Sequence, residues 1–386
     1  MNTYIHYDGR EQSWVKHQIL RRYLERFAYI IGSYRDSITY VDCFSGPWQS
    51  HSEEHVDTSF AIAIHELRKA RDGLKAKSRE VDLRCCFIEE DNAAFEKLRE
   101  FAMSNGDIEI KTHHGKLEDS IDEIVSFVGQ SKRKTFPFVF VDPKGWTGFA
   151  LDVIKPLLQL RPGEVLINFM TEHIRRFIDW SDESNQQSFV RLFGDESFRQ
   201  ELSGLSGLDR DEACVEQYMK TVQQSGSFSF ASCAVVLKSE TDRSHFHLVY
   251  LTRDAKGVEV FKEAEKKSMK DMEAVRAEAQ QKRRVGKSGQ KELFSASESH
   301  DPTYFDNLRD RYCSRARKDL ESLLRDKRMV SYDDAWAMAL RKPLVWESDL
   351  KDWIKDWKQQ GMVSLDGLAT GKRSPKYGGG QRIVWK

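Results

Sequence analysis

The chain has 386 residues, 39% of them hydrophobic, with 61 Lys and Arg against 61 Asp and Glu. This length can bury a full α/β core and still carry a second domain. The balanced charge excludes a protein that attracts polyanions over its whole surface, and no run reaches the ~18 apolar residues of a membrane span. The N-terminus is polar, without the apolar region of a signal peptide, so we expect a cytoplasmic protein with no membrane partner.

The cysteines favour a protein without a metal site. None of the six forms a C-x-x-C pair, which is the spacing typical of zinc and iron–sulfur sites. Three of them lie inside apolar strand runs, so we interpret the cysteines as reduced thiols of the core.

The first predicted element is an amphipathic helix over about residues 12–31, because apolar residues recur there at helical spacing. Its buried face would carry Val15, Ile19, Tyr23 and Phe27. The neighbouring Lys16 and His17 are more typical of the solvated edge of such a helix than of a ligand site.

Strands and helices then alternate as far as residue 169. The predicted strands are 38–43, 83–88, 108–112, 136–141 and 164–169, and the predicted helices are 58–74, 92–104, 117–129 and 149–160. This alternation favours a parallel sheet with right-handed crossovers. Two later runs, 231–238 and 245–252, predict an antiparallel pair that closes the sheet. The expected fold is therefore α/β, with a Rossmann-like sheet and an antiparallel last strand.

A mostly helical insertion, about residues 172–225, interrupts this pattern. Arg175 and Arg176 follow a strand end there and could face a phosphate. Equally, they could form the solvated side of an amphipathic helix.

The last third predicts a second domain. A charged helix over 258–284 would end the first domain (1–284), and a Gly- and Ser-rich linker would follow (285–301). Residues 302–386 show helical patterns at 303–326, 331–341 and 347–360 and then two short strands around a glycine-rich loop. This order is typical of a winged helix-turn-helix domain.

Charge favours a nucleic-acid partner for this winged domain. It carries eighteen Lys and Arg against twelve Asp and Glu, and Lys372, Arg373 and Lys376 lie on the loop between its last strands. Wings also dock proteins, which remains the alternative. Four acids on the candidate recognition helix shift the expected contact from that helix to the loop. They are Glu347, Asp349, Asp352 and Asp356.

Three predicted strands end in polar residues. The run 139–141 ends in Asp142-Pro143-Lys144-Gly145-Trp146, and the run 38–41 ends in Asp42-Cys43-Phe44-Ser45-Gly46-Pro47-Trp48. The run 83–88 ends in Glu89-Glu90-Asp91. Parallel strands deliver such residues to one edge of the sheet, where ligands bind. An acid after the second strand can accept hydrogen bonds from the hydroxyls of a ribose, although each acid could also simply cap a helix.

In the order glycine loop, ribose acid and Asp-Pro motif, these strand ends resemble class I S-adenosylmethionine-dependent methyltransferases. More closely, the chain resembles the bacterial three-Cys-motif partner proteins over roughly residues 10–280. The residues that carry this likeness are Lys16-His17-x-Ile19-Leu20-x-x-Tyr23-Leu24, Tyr40-x-Asp42-x-Phe44-Ser45-Gly46-Pro47, Phe140 to Trp146, Glu164 to Phe169 and Leu248 to Thr252.

The resemblance implies S-adenosylmethionine as the cofactor and a methyltransferase-like activity. The implied cofactor-binding residues are Lys16, Asp42, Phe44, Ser45, Gly46, Trp48, Glu89 and Glu118. Asp142 and the carbonyl of Pro143 would accept the hydrogens of a target amine, and Trp146 would stack on its base. The family name also implies a partner enzyme that carries the three-Cys motif.

Two departures from the methyltransferase pattern keep an alternative open. Trp48 stands where the glycine loop usually has a second glycine, and Lys144-Gly145 separates Pro143 from Trp146. The leading interpretation is a methyltransferase that modifies a nucleic acid at an exocyclic amine. The alternatives are a binding protein that keeps the fold without turnover, and a methyltransferase acting on protein or a small molecule.

Overall fold

The computed structural model describes residues 7, 9–46, 52, 55–131, 134–289, 294–368 and 374–386. Its first half alternates helices and strands as expected. The elements are α1 (Glu11–Gly32), β1 (Ser37–Asp42), α2 (Ser59–Lys75), β2 (Asp82–Glu89), α3 (Asn92–Met103), β3 (Glu109–His114), α4 (Leu117–Gly129), β4 (Thr135–Val141), α5 (Leu151–Leu158) and β5 (Glu164–Phe169).

The second half contains the helical insertion, two further strands and the C-terminal elements. They are α6 (Thr171–Phe177), α7 (Glu183–Phe193), α8 (Ser197–Leu202), α9 (Gly207–Gly226), β6 (Phe230–Leu237), β7 (Ser244–Thr252), α10 (Ala255–Ser288), α11 (Thr303–Lys327), β8 (Met329–Ser331), α12 (Tyr332–Arg341), α13 (Glu347–Gln359), β9 (Val363–Asp366) and β10 (Arg382–Trp385). Helix α10 extends beyond the predicted range of 258–284 at both ends.

Seven strands form one sheet of order β3-β2-β1-β4-β5-β7-β6. The neighbouring strands from β3 to β5 pair in parallel, whereas β7 pairs antiparallel with both β5 and β6. The predicted Rossmann-like sheet with an antiparallel closing pair is thus confirmed. The order reverses direction between β1 and β4, which creates a crevice at their carboxyl ends.

The central strands are buried on both faces, which explains their nearly continuous apolar runs. Alternate side chains enter two separate cores: Tyr40 and Phe138 lie in the core that contains α1, whereas Val41 and Val139 lie in the other. Helix starts are fixed locally. For example, the Asp91 carboxylate accepts a hydrogen bond from the Ala94 amide at 2.8 Å and caps α3 directly after β2.

Residues 303–386 form three helices and an antiparallel sheet of order β8-β10-β9, here called the C-terminal unit. The sequence analysis predicted the three helices, β9 and β10 but missed β8. That strand has only three residues, too few for a detectable alternation.

The C-terminal unit packs against the edge strand β6 and the helices α9 and α10. Ser232 of β6 donates its hydroxyl to the Leu340 carbonyl at 2.6 Å. Lys262 of α10 donates to the carbonyl of Lys342 at 2.8 Å, and Arg341 pairs with Glu216 of α9. Although the sequence predicts a linker, this unit therefore lies in contact with the large sheet.

A buried polar network lies at the amino end of β5, opposite the crevice. Glu164 accepts hydrogen bonds from the hydroxyls of Tyr23 and of Thr252, the latter at 2.9 Å, and the Tyr23 hydroxyl lies 2.7 Å from that of Tyr250. Burial raises the pKa of Glu164 from 4.5 to about 7. The network ties α1 to β5 and β7.

This pKa predicts a pH dependence of stability. Between pH 4.5 and about 7 the folded protein keeps a proton on Glu164 that the unfolded chain has released. The free energy of unfolding should therefore fall as pH rises through this window, by at most about 1.4 kcal/mol per pH unit from this group. Glu164→Gln stays neutral at every pH and should flatten the slope. Urea unfolding of both proteins across this range measures the effect, and equal slopes would contradict it.

Among the described residues, no helix is both long enough and apolar enough to cross a membrane.

Candidate active site

A cleft of about 630 Å³ opens at the carboxyl ends of β1, β2, β4 and β5. Phe44 follows β1, Glu89 ends β2, Asp142 follows β4 and Asn168 lies near the end of β5, and all four line the cleft. The volume is in the range of small-molecule and cofactor sites. The three strand ends selected from the sequence therefore meet in one cavity.

The loop after β1 is built around Asp42, which is fully buried. Its carboxylate accepts hydrogen bonds from the Ser59 hydroxyl at 2.6 Å and the Phe44 amide at 3.2 Å, and its carbonyl accepts from the Ser45 hydroxyl at 2.8 Å. Burial raises the pKa of Asp42 to about 6. Neither Asp42 nor Ser45 lines the cleft. Their hydrogen bonds shape the loop, and direct cofactor binding by these two residues stays a prediction.

Two other residues of this loop do face the cleft. Phe44 and Gly46 both line it, and their contact with a cofactor stays a prediction. Trp48, the residue that departs from the usual glycine pattern, lies outside the described residues.

The acid at the end of β2 is placed as the sequence indicated. Glu89 is 6% exposed and lines the cleft, and its Oε1 accepts a hydrogen bond from the Asp91 amide at 2.6 Å. Burial raises the pKa of Glu89, although the Asp91 amide and the positive charge of Lys144 partly oppose this shift. Glu118, at the start of α4, lines the same cleft. This edge therefore presents carboxylates to a ligand.

Asp142 is held from two sides. Lys16 on α1 lies 2.5 Å from its Oδ2, and the Asn168 side-chain amide donates to Oδ1 at 2.7 Å. Pro143 is buried and also lines the cleft. The carboxylate is therefore fixed in orientation, and an ionised carboxylate has about four acceptor positions, so it retains capacity for a further donor.

Lys16 and His17 are not at a solvated edge. They are 8% and 6% exposed, and both line the cleft because α1 covers it from above the sheet. The Tyr7 hydroxyl lies 2.9 Å from Nδ1 of His17. Burial and the neighbouring Lys16 charge hold the pKa of His17 well below its usual range, so the ring is neutral at pH 7. The solvated-edge interpretation is corrected, since the tertiary fold brings a second element over these positions.

Trp146 is placed differently from the prediction. Its indole packs on Phe177 with ring centroids 4.4 Å apart, lies nearly parallel to Phe189, and donates from Nε1 to the Ser188 hydroxyl at 3.0 Å. It does not line the cleft. The protein's own aromatic cluster therefore uses this ring, which corrects the assignment of Trp146 as a stacking platform for a base.

The two arginines of the insertion have separate environments. Arg175 forms a two-point contact with Asp211 and donates to the Ser244 hydroxyl at 2.7 Å. This internal ion pair corrects the prediction that it faces a phosphate. Arg176 is exposed, with its guanidinium 5.2 Å from the centre of the Phe177 ring. Arg176 remains available on the surface.

The predicted nucleic-acid residues of the C-terminal unit are only partly described. Lys376 is exposed, whereas Lys372 and Arg373 lie outside the described residues. Several arginines of the unit are already paired: Arg309 with Asp349, and Arg311 and Arg315 with Asp209 and Glu212 of α9. The positive excess of this unit is therefore partly neutralised within the protein.

Sequence reasoning missed the structural roles of Asn168 and of an ion pair at the cleft. Arg10 and Asp57 lie 2.5 Å apart and both line the cleft, although they are far apart in sequence. No local pattern joins such residues. Asn168 left a signal, since it is the amide in the otherwise apolar run Val165 to Phe169, and a buried polar residue of this kind needs an explanation.

No family model and no curated protein matches this sequence. Among solved structures, it is similar to protein LPL1258 from Legionella pneumophila, with 10% identity and a TM-score of 0.41 over 68% of this chain and 92% of that one. It is also similar to an O-methyltransferase from Bacillus cereus in complex with S-adenosylhomocysteine. The identity is 12% and the TM-score 0.32, over 60% of this chain and 80% of that one. It is similar as well to a loganic acid methyltransferase with the same ligand. That comparison has 9% identity and a TM-score of 0.30, and it covers 73% of this chain and 89% of that one. Similarity of this degree does not transfer a substrate or site residues.

Proposed function

We propose that this chain is an S-adenosylmethionine-dependent methyltransferase. The observation that carries the proposal is the convergence of Glu89 and Asp142 on one cleft at the point where the strand order reverses. Open α/β sheets bind their ligands at this point. A sheet closed by an antiparallel β7 is also the arrangement that the resemblance to class I methyltransferases implies.

The residues of the cleft fit this cofactor. Glu89 can accept hydrogen bonds from both ribose hydroxyls, because its carboxylate lies at the end of the second strand. Phe44 and Gly46 lie in the loop after β1, where they would contact the methionine part. When bound, S-adenosylmethionine supplies a methyl group on a positively charged sulfur.

For the methyl acceptor, we propose an exocyclic amine of a nucleic acid. Asp142 is the acid at the carboxyl end of β4, anchored by Lys16 and Asn168. A carboxylate in this position can accept an N–H of the amine and orient its nitrogen. The exposed Arg176 and Lys376 provide cations for a phosphate backbone.

The first experiment is calorimetric titration with S-adenosylmethionine and with S-adenosylhomocysteine. Binding of both, with one site per chain, is expected. Absence of binding at millimolar ligand would reject the methyltransferase. In a separate experiment, mass spectrometry of nucleosides from cells with and without the protein identifies a methylated base. A protein that binds the cofactor but changes no nucleoside would reject only the nucleic-acid acceptor.

Replacement of Glu89 tests the cofactor assignment. We expect Glu89→Ala to weaken S-adenosylhomocysteine binding by about 1–3 kcal/mol, because the ribose hydroxyls lose a charged hydrogen-bond partner. Glu90→Ala is the matched control, since Glu90 is an exposed neighbour that lines the same cleft. Isothermal titration of the three proteins measures the difference. A larger loss in Glu90→Ala than in Glu89→Ala would move the ribose contact to Glu90.

The loop between β9 and β10 tests nucleic-acid binding by the C-terminal unit. We expect the triple change of Lys372, Arg373 and Lys376 to Ala to weaken binding of duplexes of any sequence. The dependence of log K on log salt should become shallower by roughly two to three, about 0.9 for each lost phosphate contact. Filter binding across a salt series measures it. An unchanged slope would favour a protein-docking role for the unit.

A binding protein without turnover is the second candidate, and one observation favours it. Both oxygens of Asp142 already have a partner within the protein, Lys16 at Oδ2 and Asn168 at Oδ1. Such a protein would use the fold to bring a partner enzyme to nucleic acid. Cofactor binding without detectable methyl transfer to any cellular nucleic acid, protein or metabolite would support this second candidate.

A further inference from the structure

Asn168 has a buried side-chain amide whose oxygen accepts no hydrogen bond from the described residues. The residue is 2% exposed, lies next to the end of β5 and lines the cleft. Its nitrogen donates to Oδ1 of Asp142 at 2.7 Å and contacts the Met170 sulfur at 3.3 Å. Its oxygen, Oδ1, is buried and has no hydrogen-bond partner within the part of the chain that the structure describes.

The orientation of this amide is fixed by its neighbour. An ionised carboxylate only accepts hydrogen bonds, so the nitrogen and not the oxygen of Asn168 must face Asp142. The amide oxygen is therefore left without a donor among the residues that the structure describes. An unsatisfied buried acceptor costs free energy, and such a cost persists at sites where a ligand supplies the missing partner.

The unused oxygen and Asp142 together define what the ligand must offer. Both groups accept hydrogen bonds, and the 2.7 Å contact from the Asn168 nitrogen to Asp142 places the unused oxygen beside the carboxylate, in a residue pair that lines one cleft. A single ligand atom that satisfies both acceptors must carry two hydrogens. A primary amino group meets this condition, whereas a hydroxyl has one hydrogen and a carbonyl has none.

We infer that Asn168 is a specificity-determining residue that accepts one N–H of the acceptor's amino group, while Asp142 accepts the other. The inference rests on the proposed function and adds a side chain to it. The resemblance to amino-methyltransferases implies the Pro143 carbonyl as the second acceptor. Asn168 supplies that acceptor from the neighbouring strand, and by rejecting groups with fewer hydrogens it selects amines over hydroxyls and carbonyls.

The test uses the full chain saturated with S-adenosylhomocysteine and fluorescent single-stranded thymidine 12-mers with one central adenine, or with one central purine that lacks the amino group. Fluorescence anisotropy gives both affinities. We expect the parent to bind the adenine strand about tenfold more tightly, as one lost hydrogen bond to a buried acceptor implies. Asn168→Leu, of similar volume, should reduce this preference to about threefold or less.

Two further variants separate a ligand contact from a structural role. Asn168→Asp keeps an acceptor oxygen at the same place, so this variant should retain the preference for adenine. Asn185→Ala changes a half-buried asparagine outside the cleft and should bind both strands as the parent does. Circular dichroism and cofactor titration establish that each variant is folded.

Each outcome decides the inference. A parent that binds both strands equally overturns it, as does Asn168→Leu with the parent's full preference. Loss of the preference in Asn168→Asp would also overturn the contact and assign Asn168 a positioning role through Asp142. If S-adenosylhomocysteine binds but neither strand does, the nucleobase acceptor and this inference fall while the methyltransferase stands. If S-adenosylhomocysteine itself does not bind, the proposed function fails.

Discussion

Asp142→Ala should lower the rate of methyl transfer about a thousandfold while changing the affinity for S-adenosylhomocysteine by less than about twofold. The carboxylate contacts Lys16 and Asn168. In the proposed function it acts on the methyl acceptor, whereas Glu89 and Phe44 bind the cofactor. A group that acts on the acceptor in the transition state affects turnover more than ground-state binding. Single-turnover kinetics with radiolabelled cofactor, together with calorimetry, measure both quantities.

The matched control for this change is Asp195→Ala. Asp195 is an exposed acid whose carboxylate accepts from the Ser197 amide at 2.8 Å, and it does not line the cleft. Its replacement should leave both turnover and cofactor binding unchanged. If Asp142→Ala keeps near-parental turnover, the acceptor does not use this carboxylate. If it abolishes cofactor binding instead, Asp142 belongs to the cofactor site.

Glu265→Ala should destabilise the protein by about 3–5 kcal/mol, because it leaves the charge of Lys262 buried without a countercharge. Lys262 and Glu265 are 3% and 0% exposed and form an ion pair on α10. Glu265 also accepts a hydrogen bond from the Leu344 amide at 2.9 Å, which joins α10 to the C-terminal unit. Urea unfolding measures the loss of stability, and limited proteolysis reports whether residues 303–386 become accessible.

Two further variants test whether burial of the ion pair causes the loss of stability. Lys256 and Glu259 form a pair with the same three-residue spacing on the same helix, but their side chains are 52% and 37% exposed. Glu259→Ala should therefore cost no more than about 0.5 kcal/mol. The double change Lys262→Met with Glu265→Leu removes both charges and should recover most of the stability. Equal effects of Glu265→Ala and Glu259→Ala would show that burial does not control the strength of the pair.

The order and type of the elements could be predicted from the sequence because they depend on local patterns. Period-two and continuous apolar runs marked β1, β2, β4 and β5, and helical spacing marked α1 and the C-terminal helices. The convergence of Glu89 and Asp142 also followed, because parallel strands deliver their carboxyl ends to the same edge. Short elements such as β8 could not be predicted, since three residues are too few to show an alternation of apolar and polar side chains.

Side-chain roles within the site were decided by the tertiary structure. Asp42 and Asp142 both follow apolar strands and look alike in sequence, yet the Ser59 hydroxyl and the Phe44 amide enclose Asp42 while Asp142 faces the cleft. Trp146 follows the Asp-Pro motif, but its ring packs against Phe177 from the insertion. Each difference comes from a partner far away in sequence.

The sequence by itself determined the α/β class, the antiparallel closing pair and the strand ends that build the cleft, because apolar periodicity and chain direction are local properties. The tertiary structure alone decided that His17 lies inside the cleft, that the Asn168 oxygen beside Asp142 has no hydrogen-bond partner among the described residues, and that the C-terminal unit rests on the edge of the sheet. These features depend on which distant segments pack together. The free energy of burial and of hydrogen bonding across such contacts depends on the folded chain as a whole, so no local sequence pattern predicts it.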